Sequence, residues 1–577
     1  MKRVVAIAVI VAAALVVFGP AFVKREAFVL RDHSDYFQPM RIYTAQHLRA
    51  GRLPLWNPYN ASGEPWIANP QTAVFYPPAW LFLILPFATA YTAYLFVHAL
   101  LLGISAHRLF LRDATPFAAT GGAIALMLSG PVLSLLDVSN NFTSFAWLPL
   151  VILFARDRKP IAGGVVLAMS FLAGEPFFAA IAALIFVIIV REVKAIAIAA
   201  SIAIGVSAIQ LFPFLATIAR SNRVNVFSTE EVLRSSMTLR DWLRVFVIPR
   251  FAPSAHEQFI VVVYVGALIV LLAIAGCLVQ WREKKFGWTA MLVVAIVIAS
   301  GPRLLAWLPL EIVRYPARVV AFAAFALVAL AVAAWPRNVV ISVVLTLIIS
   351  VDLFIAARPL LVTAPFTRAR VPYPLSIGRT SKILQLYGTD LIGGSRASWI
   401  AGYTNLFDLR FAATTAAPFS PRSYDVVLAQ RSLREMSIGY VLSTHPLGAP
   451  FERVAQSQHV VVYRVPHALP MAYVITPRGE TLPPLALGVD ASSARVIVDT
   501  IDGGTLVLTQ NDEPGWRVMI DGRDAKKKLA FGAFRAVDIT PGKHEVIWKY
   551  RPLSLLIGAI VTLLTTASVI VALLRTR

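Results

Sequence analysis

Apolar runs of about 20 residues recur along most of the chain, and they decide its class. A run of that length crosses roughly 30 Å of hydrocarbon as a helix, the form in which a lipid-embedded segment satisfies its own backbone. Such segments fall near 4–23, 79–106, 116–136, 141–155, 161–174, 176–190, 195–218, 259–280, 288–300, 319–335, 339–357 and 553–574. The expected fold is therefore a polytopic α-helical membrane protein of about twelve transmembrane helices, with both termini on one side. Hydrophobic residues make up 58% of the 577, more than a soluble core requires. The net charge of +22 is read as Lys and Arg anchoring helix ends at headgroups, which removes nucleic acid as a partner. Cys277 is the single cysteine, so an intrachain disulfide and a Cys-based metal site are excluded. The opening MKRVVAIAVIVAAALVVFGPAF is read as an uncleaved first helix, because its apolar stretch is long and no clean A-x-A site follows.

With Lys2 and Arg3 inside, the turns at Arg108–Arg112, Arg156–Lys159, Arg191–Lys194, Arg282–Lys285 and Arg337 become cytoplasmic. They are short and basic, as the positive-inside bias requires. The longer loops 24–78, 219–258 and 301–318 face outward and also carry arginines. Solvated loop faces explain single arginines, and grip on phosphate oxygens explains a cluster. Ser228–Glu231 and Asp241–Leu243 predict an interfacial amphipathic helix in the second loop.

From 358 to 550 the composition turns to a soluble, β-rich pattern. Strands alternate apolar and polar residues, and tight turns are expected at Asp502-Gly503-Gly504, Asp521-Gly522 and Pro541-Gly542-Lys543. The domain plan is a transmembrane part (1–357) holding an outer loop (24–78), an extracytoplasmic β-sandwich-like domain (358–550), and a final transmembrane helix (551–577).

The outer loop holds the chemistry. Asp32 and Asp35 lie three apart, so both reach one face of a helical turn. Two such carboxylates suit a general base for an acceptor hydroxyl, or a divalent cation, which nothing else in the sequence requires. One of them serves equally well as a helix N-cap. DYFQPMRIYTAQHLRAG predicts a short helix with Pro39 in its first turn and Gly51 closing it. Beyond it, Trp56, Tyr59 and Tyr76 interleave with Asn57, Asn69 and Gln71. Aromatic faces with amide edges suit a sugar, and suit an interfacial aromatic belt as well. Asp137, Glu175 and Asp352 fall near predicted helix ends, where surface placement is expected. Asn60-Ala61-Ser62 and Asn141-Phe142-Thr143 match the N-glycosylation pattern.

GRLPLWNPYNASGEPWIANPQTAVFYPP resembles the signature of the YfhO-like bacterial membrane proteins. The resemblance continues through LAGEPFFAA, GVSAIQLFPFLATIARSNR, YVGALIVLLA and VRYPAR, and ends with EPGWRVMIDGRDAKKKLAFGAFRAVDITPGKHEVIWKYRP. Glu175-Pro176 departs from it, since relatives often carry His-Pro followed by Gln. The family is similar in layout to GT-C glycosyltransferases, multi-pass enzymes that take sugar from a polyprenyl-phosphate carrier at the outer face. The resemblance implies Asp32 as the catalytic carboxylate, with Asp35 as runner-up. It also implies a bacterial cytoplasmic membrane location, a membrane lipid environment, and an envelope glycan, lipid or protein as acceptor. Arg314 and Arg318 are candidates for the donor phosphate, with Arg220 and Arg223 behind them. Two further classes stay open: a non-catalytic envelope assembly or glycan-binding protein with exposed aromatics on 358–550, and a transporter of lipid-linked substrate with internal symmetry.

Overall fold

In the computed structural model the apolar runs are helices. It describes residues 3–221, 229–246, 260–301, 315–366, 382–385, 411–413, 432–443, 446–456 and 461–575. In chain order the main helices are α1 (Arg3–Lys24), α2 (Gln38–Arg49), α3 (Phe87–Phe110), α4 (Pro116–Leu128), α5 (Ser139–Phe145), α6 (Leu148–Arg156), α7 (Pro160–Leu172), α8 (Pro176–Val190), α9 (Val193–Ile218), α10 (Ala267–Arg282), α11 (Gly287–Ser300), α12 (Val320–Ala333), α13 (Val339–Ala357) and α14 (Leu553–Arg575).

Among the described residues seven helical stretches are long and apolar enough to cross a membrane, and α7, α8, α10 and α11 are shorter apolar helices. The expected count of about twelve is thus not reached by helices of full length. Two of the short ones, α7 and α8, are the separate segments expected on either side of Gly174-Glu175-Pro176, where the proline starts a new helix. The alanine-rich α4 and α12 are almost wholly buried at the centre, whereas α13 and α14 keep long apolar faces exposed. Small residues set the close contacts. At Gly558 an added Cβ would stand 2.4 Å from the Ala208 carbonyl oxygen, so α14 packs on α9 backbone to backbone.

Residues 472–550, the last part of the 358–550 stretch read as β-rich, form two five-stranded antiparallel sheets packed face to face. One runs Ala486–Val489, Ser493–Thr500, Gly542–Tyr550, Trp516–Ile520 and Arg523–Ala525; the other runs Lys528–Ala530, Phe534–Ile539, Gly504–Asn511, Ala472–Ile475 and Thr481–Leu482. Their facing residues, among them Val496, Val546 and Trp548 on one sheet and Leu506, Leu508 and Val537 on the other, make one core. Ahead of it lies a separate mixed sheet in which Lys382–Gln385 runs parallel to Ile438–Ser443. The 219–258 loop holds two short helices, Thr229–Arg234 and Leu239–Leu243, the second closed by a Thr238–Asp241 capping box.

The 24–78 loop is clamped to the sandwich. Trp56 is fully buried in the sandwich core, with Trp516 and Tyr550 each 5.2 Å away, and its backbone N–H donates to Ala491 O. Asn511 Nδ2 donates to Ala61 O and Gly63 O, and Gln510 Nε2 to Pro58 O. Ala61, Ser62 and Gly63 all carry positive φ, and a Cβ on Gly63 would stand 2.6 Å from the Trp56 indole nitrogen. Gly63→Ala should therefore prise Trp56 from its seat and cost about 1–3 kcal/mol. The check is a lower Tm in detergent together with faster proteolysis at 52–64.

Candidate functional site

A short β pair fixes the chain as it leaves α1. Glu26–Phe28 pairs antiparallel with Thr363–Pro365, and Val29 N donates to Val362 O. Arg31 then takes a left-handed conformation (φ +50°), and a π-helical turn, His33–Phe37, leads into α2. Gln38 Nε2 donates to Phe28 O at 2.7 Å, and His33 Nδ1 lies 2.8 Å from the Tyr91 hydroxyl. Pro39 sits in the first turn and Gly51 (φ +68°) follows the end, as the sequence predicts, whereas every residue from Phe37 to Ala45 is buried, on all sides of the helix.

Asp32 occupies the N-cap position of the turn, yet its carboxylate makes no capping bond. It is partly exposed, and no hydrogen bond or ion pair to it exists among the described residues. Burial of its surroundings pushes its carboxyl above the usual range, and Arg31 opposes that shift. The Asp35 side chain lies outside the described residues.

Arg31 Nη1 stands 3.1 Å from Asp137 Oδ2. Asp137 is 3% exposed. Burial pushes its carboxyl up to about 7, Arg31 pulls it down, and the nearby negative charge of Asp32 pushes it up again. Past Asp137, α5 begins with Ser139-Asn140-Asn141. Asn140 Nδ2 donates to Glu175 Oε2 at 3.0 Å and to Gly174 O at 3.2 Å. Glu175 caps α8 by accepting from Phe177 N, and its Oε1 lies 3.1 Å from Arg318 Nη1. Arg318 also covers the Phe177 ring at 4.4 Å. Surface placement is thus corrected for Asp137 and for Glu175, which is 6% exposed. Each lies 3.1 Å from the guanidinium of an arginine from a distant segment.

The nominated residues divide. Arg318 joins the acidic cluster, and Gln71 borders it: its carbonyl accepts from Arg41 Nη1 at 2.7 Å, its Oε1 accepts from Tyr36 OH at 2.5 Å, and its Cα lies against Gly174. Asn69 caps the turn that holds Gln71. Arg220 is elsewhere, paired with Glu513 at 3.0 Å. Arg314 and Arg223 lie outside the described residues. Trp56 belongs to the sandwich core, Asn57 donates to Glu64 Oε1, and Tyr59 N donates to Asn57 Oδ1, so these three build the clamp. Tyr76 is buried between His98 Nε2 (2.5 Å) and Trp147 Nε1 (2.8 Å). Asn60 and Asn141 are both buried, which leaves neither glycosylation pattern accessible. The large aromatics of the sandwich, Trp516, Trp548 and Tyr550, are buried as well, not displayed.

Sequence reasoning passed over Arg31, Arg41, Asp137, Asn140 and Asn141 as site residues. The signal was the polar run SNNFTS between two apolar segments. Several buried polar atoms here have no hydrogen-bond partner among the described residues: His33 Nε2, Arg41 Nε, Asn140 Oδ1 and both amide atoms of Asn141. Buried donors and acceptors left open in one place are what a hydroxyl-rich ligand, or ordered water, satisfies.

Below Arg318 the helices part. A cavity of about 690 Å³ opens between α8, α10, α11 and α12. Its walls are apolar, including Ile181, Ile185, Met291, Ile298, Val319 and Phe322, and it reaches Arg112, Arg156 and Lys285 at the far end of the bundle. Val319 and Phe322 place its near end next to Arg318, and Phe322 touches Phe178 at 4.9 Å.

Among known structures, the chain is similar to arabinofuranosyltransferase AftD from Mycobacteria, at 13% identity over 95% of this chain and 57% of that one, with a TM-score of 0.49. It is also similar to the oligosaccharyltransferase of Archaeoglobus fulgidus in its apo form, at 11% identity over 77% of this chain and 69% of that one, with a TM-score of 0.40. The chain thus spans less than two thirds of the AftD protein's length. No curated protein matches it in sequence. Residues 489–562 match the model of the family described as bacterial membrane protein YfhO. Those residues cover much of the sandwich and the first half of α14, and with the apolar helices they make this a membrane protein carrying a YfhO-family segment.

Proposed function

We propose that the chain is a membrane glycosyltransferase that moves a sugar from a polyprenyl-phosphate-linked donor to a cell-envelope acceptor, with Asp32 as general base. The observation that carries this reading is the free carboxylate of Asp32. It sits where a capping residue would be spent on backbone amides and is not spent there. Next to it Arg31 supplies positive charge, Arg318 is linked through Glu175 to Asn140 of α5, and the orphaned amides of α5 offer partners for sugar hydroxyls. The slot below Arg318 suits an isoprenoid tail, which stays in hydrocarbon while its phosphate lies near the guanidinium.

In the step itself the acceptor hydroxyl gives its proton to the Asp32 carboxylate as its oxygen attacks the anomeric carbon. The bond from that carbon to the phosphate oxygen breaks, and the electron pair leaves with the carrier phosphate. The arginines stabilise charge that grows on that leaving group. The short basic turns at the far end of the bundle, with Arg112–Asp157 and Arg156–Asp113, favour a cytoplasmic position for that end and an extracytoplasmic one for the site and sandwich.

Two results test the reading. The base must be ionised, and its pKa is raised, so kcat/KM should rise with pH through a limb above the usual carboxylate range and fall away on acidification. A limb at or below pH 4 would oppose the assignment. A photoreactive prenyl phosphate should crosslink to α8 and α12 and be displaced by unlabelled prenyl phosphate. Crosslinks confined to the exposed faces of α13 or α14 would remove the slot from the proposal.

A further inference from the structure

A second cavity lies away from the acidic cluster, where the sandwich meets the membrane helices. Its volume is about 380 Å³. Three parts of the chain form it: Ile67–Ala68 of the 24–78 loop, the end of α9 from Pro213 to Arg220, and the paired segments Pro514–Arg517 and Tyr550–Ser554 of the sandwich. Arg551 N donates to Gly515 O, which holds those last two segments together. Gln210 Nε2 donates to Ile67 O at 2.5 Å, which ties the 24–78 loop to α9 beside the cavity.

The charge on its walls is one-sided. Arg220, Arg517 and Arg551 all line it and are exposed. Arg220 is held by Glu513, which is buried. Neither Arg517 nor Arg551 has an ion-pair partner among the described residues. Three guanidinium groups against one carboxylate leave an excess of positive charge around a hollow, with the Thr217 and Ser554 residues contributing hydroxyls to its lining.

Depth identifies the anion. α9 ends at Ile218 and α14 begins at Leu553, so the cavity sits where two membrane-crossing helices reach the water boundary. Leu553 lines the cavity, and Leu556, Ile557 and Ile560 continue from it as an exposed apolar strip along α14. A ligand with an anionic head and greasy tails fits both features at once. A free anion uses only the first.

From this juxtaposition we infer that the cavity between the end of α9 and the foot of the sandwich is a binding site for the phosphate headgroup of an anionic membrane phospholipid, whose acyl chains lie along α14. The site stands apart from the proposed transfer chemistry and does not depend on it. It seats the sandwich on the bilayer through a lipid, in the same place where Pro514–Trp516 and Tyr550–Pro552 hold the last helix.

The test uses the purified full-length protein in detergent and native mass spectrometry, titrated with phosphatidylglycerol, phosphatidylcholine, glycerol 1-phosphate and inorganic phosphate. Phosphatidylglycerol should be retained, and phosphatidylcholine should be retained less. The Arg517→Gln/Arg551→Gln double variant should weaken phosphatidylglycerol binding by at least about tenfold, the loss expected for charged hydrogen bonds. Arg517→Lys/Arg551→Lys should restore most of it. Both variants alter exposed side chains, and an unchanged Tm confirms that the fold is kept. Equal phosphatidylglycerol retention by wild type and the Gln variant overturns the site. Competition by glycerol 1-phosphate or inorganic phosphate at the lipid's own concentration overturns the lipid as its occupant.

Discussion

Asp32→Asn should lower sugar transfer by about 10²–10⁴-fold, the range that a lost general base commands. The expectation follows from the placement of the carboxylate. Asn keeps the shape and volume of Asp, and the turn takes nothing from Asp32 as a cap. The fold should therefore remain, with Tm within a few degrees of wild type. Donor binding should remain as well, so the fall should appear in kcat. Asp137→Asn serves as the companion, because Asp137 is held by Arg31 and stands beside the base instead of exposed to an acceptor. It should disturb the pH profile more than the rate at the plateau, because it frees Arg31, whose positive charge lowers the Asp32 carboxyl, from its ion pair. A fall in Tm equal for both variants, with parallel losses of activity, would mean that both carboxylates only hold the loop together.

Arg318→Met should be the most destabilising single change in the membrane part. It leaves Glu175 buried with only Asn140 and the Phe177 amide as partners. Removing one member of a buried ion pair costs about 3–5 kcal/mol, because the other charge stays desolvated. Replacing both members, as Glu175→Gln/Arg318→Met, should recover most of that loss, since the neutral amide still accepts from the α8 amide and bonds to Asn140. Thermal unfolding of the four proteins in one detergent closes the double-mutant cycle. A strictly additive cycle would show that the 3.1 Å contact carries no coupling. Transfer activity should stay low in the rescued double variant, because the cation beside the slot is still missing.

The membrane class was readable because about 20 apolar residues in a row have few other uses. The sandwich was readable from Gly503, Gly522 and Gly542, all at positive φ in the structure, and from the alternation along Ser493–Thr500, which ends just before the first of them. The α2 helix could be placed by Pro39 and Gly51, although the structure buries its first half on all sides. Asp32 was readable as a candidate, but its choice between cap and base was not. That choice depends on a side-chain direction, and the same residue type suits both. The burial of Asp137 and Glu175 was out of reach for a related reason. Each looks like a surface residue at a helix end until Arg31 and Arg318 are brought beside it, the second from 143 positions away. The role of Trp56 was misread at the same distance scale. A tryptophan in a loop near a membrane suggests a sugar platform or an interfacial anchor, whereas its indole closes the core of strands more than 400 residues later.

Label transfer in proteoliposomes, with wild type and Asp32→Asn side by side, tests the central claim most directly. A radiolabelled polyprenyl-phosphate sugar is supplied from the bilayer together with an envelope acceptor fraction. The account predicts that wild type moves label from the lipid phase to the acceptor while the Asn variant leaves it on the carrier. Equal incorporation by the two proteins would contradict it.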